Sequence, residues 1–332
     1  MSSNKIKLSF SVAFAAGLVL SSSLHVTRAA PLDLSHTPLF LKTGVAPNLI
    51  LTLDDSGSMD RDYVPDGLGA DDNDLAFHSY RFNGMAYNPQ VTYKPPVDAN
   101  GTPLSTRFED AWDDGFVRTS RTDLRSRYPQ PGWSRGPAFY SVWDASNAGC
   151  NGTPSDNDCY DKVVVPPDQR QNFANWYSFY RTRRLATISG ATLAFAGFGS
   201  SIRLGWQRIN DDGLAAGVRP FEGAHRDAFY DWVMDLPARG GTPLRRATQR
   251  AGEYFQTAEP YLNAHDDANS DMAACRQSYH ILMTDGVWNG QLDDYPGNVD
   301  NRSHTLPDGK TYTPRPPFQD RAADTIADLA FQ

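Results

Sequence analysis

At 332 residues the chain is long for one domain and short for three. A hydrophobic share of 40% against 21% charged residues supports a sizeable core and excludes disorder by composition. The formal net charge of -8 would repel phosphates, which argues against a nucleic-acid partner and suits divalent cations instead.

In chain order, Lys5 and Lys7 precede an apolar stretch from Leu8 to Leu20, and a small, polar run then ends in Ala29-Ala30. This pattern predicts a cleaved export signal over residues 1–30, because the apolar run is too short to span a bilayer comfortably. No later segment is long and apolar enough to be a transmembrane helix, so the mature protein is expected outside the cytoplasm and soluble. After an irregular lead-in from Pro31 to Val45, Leu49-Ile50-Leu51-Thr52-Leu53 reads as a buried strand that runs into the polar loop Asp54-Asp55-Ser56-Gly57-Ser58.

Residues 60–168 are dense in Gly, Pro, Asn, Asp and aromatics, with few periodic runs. A structureless loop of that length is improbable inside a compact domain, so the stretch is expected to be an inserted subdomain with short elements. Its aromatic residues, among them Tyr87, Tyr93, Trp112, Trp133, Tyr140 and Trp143, fit either a small core or an adhesive face. Cys150 and Cys159 flank a turn and fit a disulfide or two free thiols, with Cys275 left over. Zinc is not expected, since the spacing matches no ligand pattern. The acidic runs Asp71-Asp72-Asn73-Asp74 and Asp156-Asn157-Asp158 lack the glycine and terminal glutamate of an EF-hand and read as solvated loops.

Helical periodicity returns from Gln171 to Ile188, and Ser201 to Ile209 alternates as a strand does. His225 to Leu236 predicts another helix, closed by Pro237 and Gly240-Gly241. Thr242 is then the expected N-cap of a third helix, with Pro243 at its first position. Tyr279-His280-Ile281-Leu282-Met283 reads as a second buried strand leading to Asp285. Residues 289–318 form a Pro/Gly/Asp-rich loop, and a final helix begins within 320–332. Strands alternating with helices predict an α/β fold with a mostly parallel central sheet flanked by helices, interrupted by the long insertion after its first strand.

Two buried strands thus deliver an aspartate to the carboxyl edge of the sheet, where open α/β sheets bind ligands. Ser56 and Ser58 follow Asp54 closely, and the Gly240-Gly241 turn lets Thr242 approach the same point. The candidate metal ligands are Asp54, Ser56, Ser58, Thr242 and Asp285. All offer hard oxygen donors and none a sulfur or imidazole, which suits Mg²⁺, Mn²⁺ or Ca²⁺. With only two charged ligands, the ion would keep residual positive charge for an acidic group of a partner. Asp55 points the other way on an extended chain and is left out.

Asp-x-Ser-x-Ser at 54–58, Thr242 after Gly-Gly, and Asp285 in Met-Thr-Asp-Gly together resemble the metal-ion-dependent adhesion site of von Willebrand factor A domains. That resemblance implies a Rossmann-like domain over residues 31–59 and 169–332, with 60–168 inserted. Four longer stretches narrow it further: Asn48 to Met59, Asn172 to Arg181, Gly240 to Arg245, and Cys275-Arg276 through Ile281 to Gly286. They are similar to the PilY/PilC proteins, tip-associated proteins of type IV pili. This likeness implies pilus assembly, surface attachment and twitching motility. Its implied partners are minor pilins or other tip components and host or abiotic surfaces, and its implied location is the periplasm, outer membrane or pilus tip. Members also carry a C-terminal β-propeller, absent here, so a truncated domain is expected.

Two rival functions remain at this level. A secreted adhesin unconnected with pili would use the same site. A metal-dependent hydrolase would need a positioned base, and His280, the histidine nearest a site-forming strand end, lies inside an apolar run and reads as a core residue. No catalytic residue is therefore assigned.

Overall fold

A computed structural model describes residues 45–331 except 69–72, 133, 265–266, 268, 274, 293, 306–308 and 317–318. The expected export signal, Asp71-Asp72 and Trp133 lie outside the described residues. Strand β1 (Asn48–Leu53) is buried along its whole length. Three hairpins follow in the inserted stretch: β2 (Ala111–Trp112) with β3 (Arg121–Thr122), β4 (Tyr128–Gln130) with β5 (Ser134–Gly136), and β6 (Phe139–Trp143) with β7 (Tyr160–Val164). Helices α1 (Arg170–Phe179) and α2 (Arg183–Phe195) lead to β8 (Arg203–Arg208) and β9 (Ala216–Pro220). Then come α3 (Gly223–Met234), α4 (Leu244–Phe255), β10 (Ser278–Met283), the short pair β11 (His304–Thr305) and β12 (Thr311–Tyr312), and α5 (Ile326–Phe331).

The main sheet has the order β10-β1-β8-β9. β1 pairs in parallel with both β8 and β10, while β9 runs antiparallel at the edge. The structure is therefore mixed α/β with a largely parallel sheet, as expected from the alternation of elements. Leu49, Leu51 and Leu53 point to a core shared with Ile188 and Phe195 of α2 and Phe229 and Val233 of α3. Ile50 points the other way, toward Val218 and Ala251 of α4. Helices thus cover β1 on both faces, which is why its sequence is a continuous apolar run and not an alternating one. Burying each such Leu or Ile contributes about 1.5–3 kcal/mol relative to exposure.

Two expectations need correction, and one strand lies where none was expected. The helical stretch at 171–188 is two helices, because the chain turns at Tyr180 and Thr182 caps α2 by accepting from the Leu185 amide. β10 is an edge strand and not a fully buried one: Ile281 and Met283 are 42% and 40% exposed. The segment 216–220, unassigned by periodicity, forms β9.

The inserted stretch closes its core against α1. Tyr87, Phe108, Leu124, Tyr128, Phe139 and Tyr140 pack with Phe173, Trp176 and Tyr177 of that helix. Most of its aromatics are therefore core, with Tyr87 and Phe139 each 1% exposed. A disulfide joins Cys150 and Cys159, and Cys275 is exposed and free. Among the described residues, no helix is long and apolar enough to cross a membrane.

On the α4 side of the sheet a polar row crosses three strands. Gln207 donates to the Thr52 hydroxyl at 2.9 Å, and Thr52 meets His280 Nε2 at 2.7 Å. Arg250 donates to Gln207 Oε1 at 3.0 Å. Burial pushes His280 down to about 4 from 6.5. Between those pH values the unfolded chain holds a proton that the native imidazole refuses, so stability falls as pH drops through that interval. His280→Gln should remove this component: its melting temperature will decline less than that of the unsubstituted chain between pH 6.5 and 4, as followed by circular dichroism.

Candidate metal centre at the carboxyl edge of the sheet

The parallel ladder sets the site. β1 aligns Leu53 with Met283, and the Asp54 amide extends the register by donating to the Met283 carbonyl at 2.9 Å. Asp54 and Asp285 consequently leave adjacent strands at the same edge. A parallel pair is the geometry that brings two distant carboxylates to one end of a sheet.

Beyond Asp54 the chain turns tightly. Asp54 Oδ1 accepts from the Ser56 amide at 2.8 Å, and Ser56 leads into a short 3-10 turn, Gly57–Asp60, anchored by buried Met59. This turn folds the two serines back toward β10. Ser56 Oγ lies 3.0 Å from Ser58 Oγ, and Ser58 Oγ donates to Asp285 Oδ1 at 3.0 Å. The second oxygen of Asp54 accepts from the Thr284 hydroxyl at 2.7 Å. Asp54 is wholly buried, behind the serines.

Thr242 arrives from the other side. Its amide donates to Asn289 Oδ1 at 2.8 Å, and its carbonyl accepts from the Asn289 amide at 2.9 Å. The expectation that Thr242 caps a helix is not met. Helix α4 starts at Leu244 with Pro243 in the cap position, one residue later than predicted, because Pro243 takes a non-helical ψ of 57°. Thr242 thus belongs to the loop and not to the helix end.

Ser56, Ser58, Thr242 and Asp285 line one cavity of about 290 Å³, together with Gly240, Asn289, Arg61 and Asp66. Four of the five predicted residues therefore face a common space, and Asp54 braces it from behind. Asp55 turns away as expected: its carboxylate accepts from the amide and the side chain of Asn210 at 3.2 and 2.9 Å. Burial pushes the Asp55 carboxyl above its usual 3.8, and the Asn210 bonds offset this only in part.

Several residues of the site escaped the sequence reading. Asn210 also donates to the Gly241 carbonyl at 2.9 Å, and Asn289 clamps Thr242, so two asparagines hold the Gly-Gly turn. Arg183, at the start of α2, donates to Asp285 Oδ2 at 2.9 Å, and its guanidinium also bonds the Tyr63 carbonyl and Asp66. That bond draws the Asp66 carboxyl below its ordinary range. Thr284 was detectable, as it adjoins Asp285. Asn210 follows the end of β8 at the same edge, a weaker signal. Arg183 and Asn289 reach the site only through the tertiary fold.

The donor set fits a hard divalent cation. Three hydroxyl oxygens and the Asp285 carboxylate face the cavity, with Asp66 and Arg61 at its side, Asp54 supports the serines from behind, and no thiolate or imidazole lines it.

Among known proteins, the chain is 40% identical over 333 residues to the type IV pilus biogenesis factor PilY1 of Pseudomonas aeruginosa strain UCBPP-PA14, covering 92% of this chain and 28% of that protein. It is 39% identical over 362 residues to PilY1 of strain PAK, covering 98% of this chain and 31% of that protein. The chain spans less than a third of the length of the curated relatives it matches. No protein-family model matches it, and no solved structure does.

Gly240 adopts φ of +85°, and a Cβ there would meet Asn210 Oδ1 at 2.9 Å. Gly240→Ala should therefore cost at least the ~1–2 kcal/mol of a left-handed alanine, measured by urea denaturation.

Proposed function

The chain is homologous to the type IV pilus biogenesis factor PilY1 over nearly its whole length, and on that premise we propose that it acts in type IV pilus assembly and tip adhesion through a divalent cation. In this reading it is a von Willebrand factor A domain, exported by the signal at residues 1–30, whose carboxyl-edge cavity is a metal-ion-dependent adhesion site. The observation that carries the reading is the convergence of Ser56, Ser58, Thr242 and Asp285 on one cavity from three distant chain segments.

The roles follow from the geometry. Ser56, Ser58 and Thr242 would hold Mg²⁺, Mn²⁺ or Ca²⁺ through hydroxyl oxygens and Asp285 through a carboxylate oxygen. Asp54 keeps the serine loop in place by accepting from the Ser56 amide and adds negative charge from behind. Once bound, the ion supplies a Lewis-acidic point for an acidic group of a partner, because neutral hydroxyls leave its charge incompletely compensated. The proposed partners are pilus-tip components such as minor pilins, and host or abiotic surfaces that present such groups. Attachment and twitching motility are the cellular outcomes of that binding.

Calorimetric titration tests the site directly. Mn²⁺ and Mg²⁺ should bind the unsubstituted chain and fail to bind Asp54→Ala, while Asp55→Asn, whose side chain faces Asn210, retains binding. Equal affinity in Asp54→Ala would remove the site from consideration. In the source bacterium, deletion of the gene should reduce surface pili as seen by electron microscopy. Normal piliation would instead favour an adhesin unconnected with pili.

A further inference from the structure

Two arginines stand where a cation site would not be expected to have them: Arg61 lines the cavity, and Arg183 bonds Asp285 from behind its wall. The Arg183 side chain is 6% exposed and Asp285 beside it 9%, so water screens the pair poorly. The guanidinium stays protonated at all accessible pH values, so its charge is permanent. It contacts three groups on two chain segments: Asp285 after β10 at 2.9 Å, and the Tyr63 carbonyl, at 2.6 Å from Nη2 and 3.0 Å from Nε, with Asp66 close beyond it. The Arg183 amide also donates to the Arg61 carbonyl at 3.0 Å. Asp285 is thereby divided, one oxygen receiving Ser58 from the cavity side and the other receiving Arg183 from the wall.

We infer that Arg183 is an internal counter-cation that holds Asp285 in place and lowers the affinity of the cavity for a divalent ion. The inference rests on the metal-site reading above and names its regulation. An ion bound to the Asp285 carboxylate would sit within roughly 5 Å of a buried positive charge, and like charges at that range repel strongly in a poorly screened setting. The guanidinium also occupies one oxygen of that carboxylate and offsets part of its negative potential. Both effects weaken binding and favour reversible occupancy over permanent retention. Because the guanidinium also grips Tyr63 and Asp66, the charge state of the cavity is linked to the segment where the inserted stretch begins.

Arg183→Gln keeps a donor near the Tyr63 carbonyl and removes the charge. Two measurements on the purified chain should then move in opposite directions. The melting temperature without metal should fall, because a buried carboxylate loses its partner. Mn²⁺ affinity by calorimetry should rise at least tenfold, with a larger metal-induced gain in melting temperature. Arg183→Lys keeps a charge at the site and should stay within about threefold of the unsubstituted affinity. A merely structural role predicts that stability and affinity fall together in Arg183→Gln, and that result would overturn the inference.

Asp66→Asn provides a second test that leaves Arg183 itself in place and alters only its half-exposed partner, the Asp66 side chain being 49% exposed. With Asp66 neutral, the guanidinium is less compensated and is left to Asp285, so Mn²⁺ affinity should fall. Because Asp66 also lines the cavity, the fall should be larger with Arg183 present than when Asp66→Asn is added to Arg183→Gln. Unchanged or tighter binding in Asp66→Asn alone would also count against the inference. If the unsubstituted chain binds no Mn²⁺ or Mg²⁺ at all, it is the metal-site reading that fails, which separates the two failures.

Discussion

The parallel pairing of β1 with β10 is the constraint on which the rest of the molecule depends. These strands are separated by more than two hundred residues, yet their register aligns Leu53 with Met283 and so delivers Asp54 and Asp285 to the same edge. The pairing is secured by burial. Leucines of β1 pack on α2 and α3 and Ile50 packs on α4, so a slip of one residue would move every side chain to the wrong face. The polar row of His280, Thr52, Gln207 and Arg250 reinforces this register, because its hydrogen bonds form only when the three strands are in step.

Around that edge, polar contacts shape a cavity whose donors remain turned inward. Asp54 spends its oxygens on the Ser56 amide and the Thr284 hydroxyl and fixes the serine loop. Asn210 and Asn289 hold the Gly240-Gly241 turn from opposite sides, which positions Thr242 without making it part of a helix. Two further charges, Arg61 and Asp66, line the same space, and Arg183 bonds Asp285 from the wall. The electrostatics of the site therefore involve cations as well as carboxylates.

The inserted stretch follows a different logic. Its hairpins are short, two to five residues per strand, and could bury little apolar surface alone. They gain a core by packing aromatics onto Phe173, Trp176 and Tyr177 of α1. The start of this stretch is also attached to the candidate site through Tyr63 and Asp66. Insertion and sheet are thus joined at the position where the candidate chemistry lies.

The sequence alone determined the alternation of strands and helices, the continuous apolar run of β1, and the five candidate ligands, since each is written in local pattern: burial periodicity, turn glycines and hydroxyls at fixed spacing. The likeness to pilus-associated proteins was legible for the same reason, in contiguous motifs. Tertiary structure alone decided that β10 lies at an edge with Ile281 and Met283 half exposed, that the helix after Thr242 begins later than its capping signal suggests, and that Arg183 reaches Asp285. Those outcomes depend on contacts between distant parts of the chain, 47 residues apart for Thr242 with Asn289 and 102 for Arg183 with Asp285. Local spacing carries no information about such meetings, because burial and charge pairing are settled only when the sheet closes.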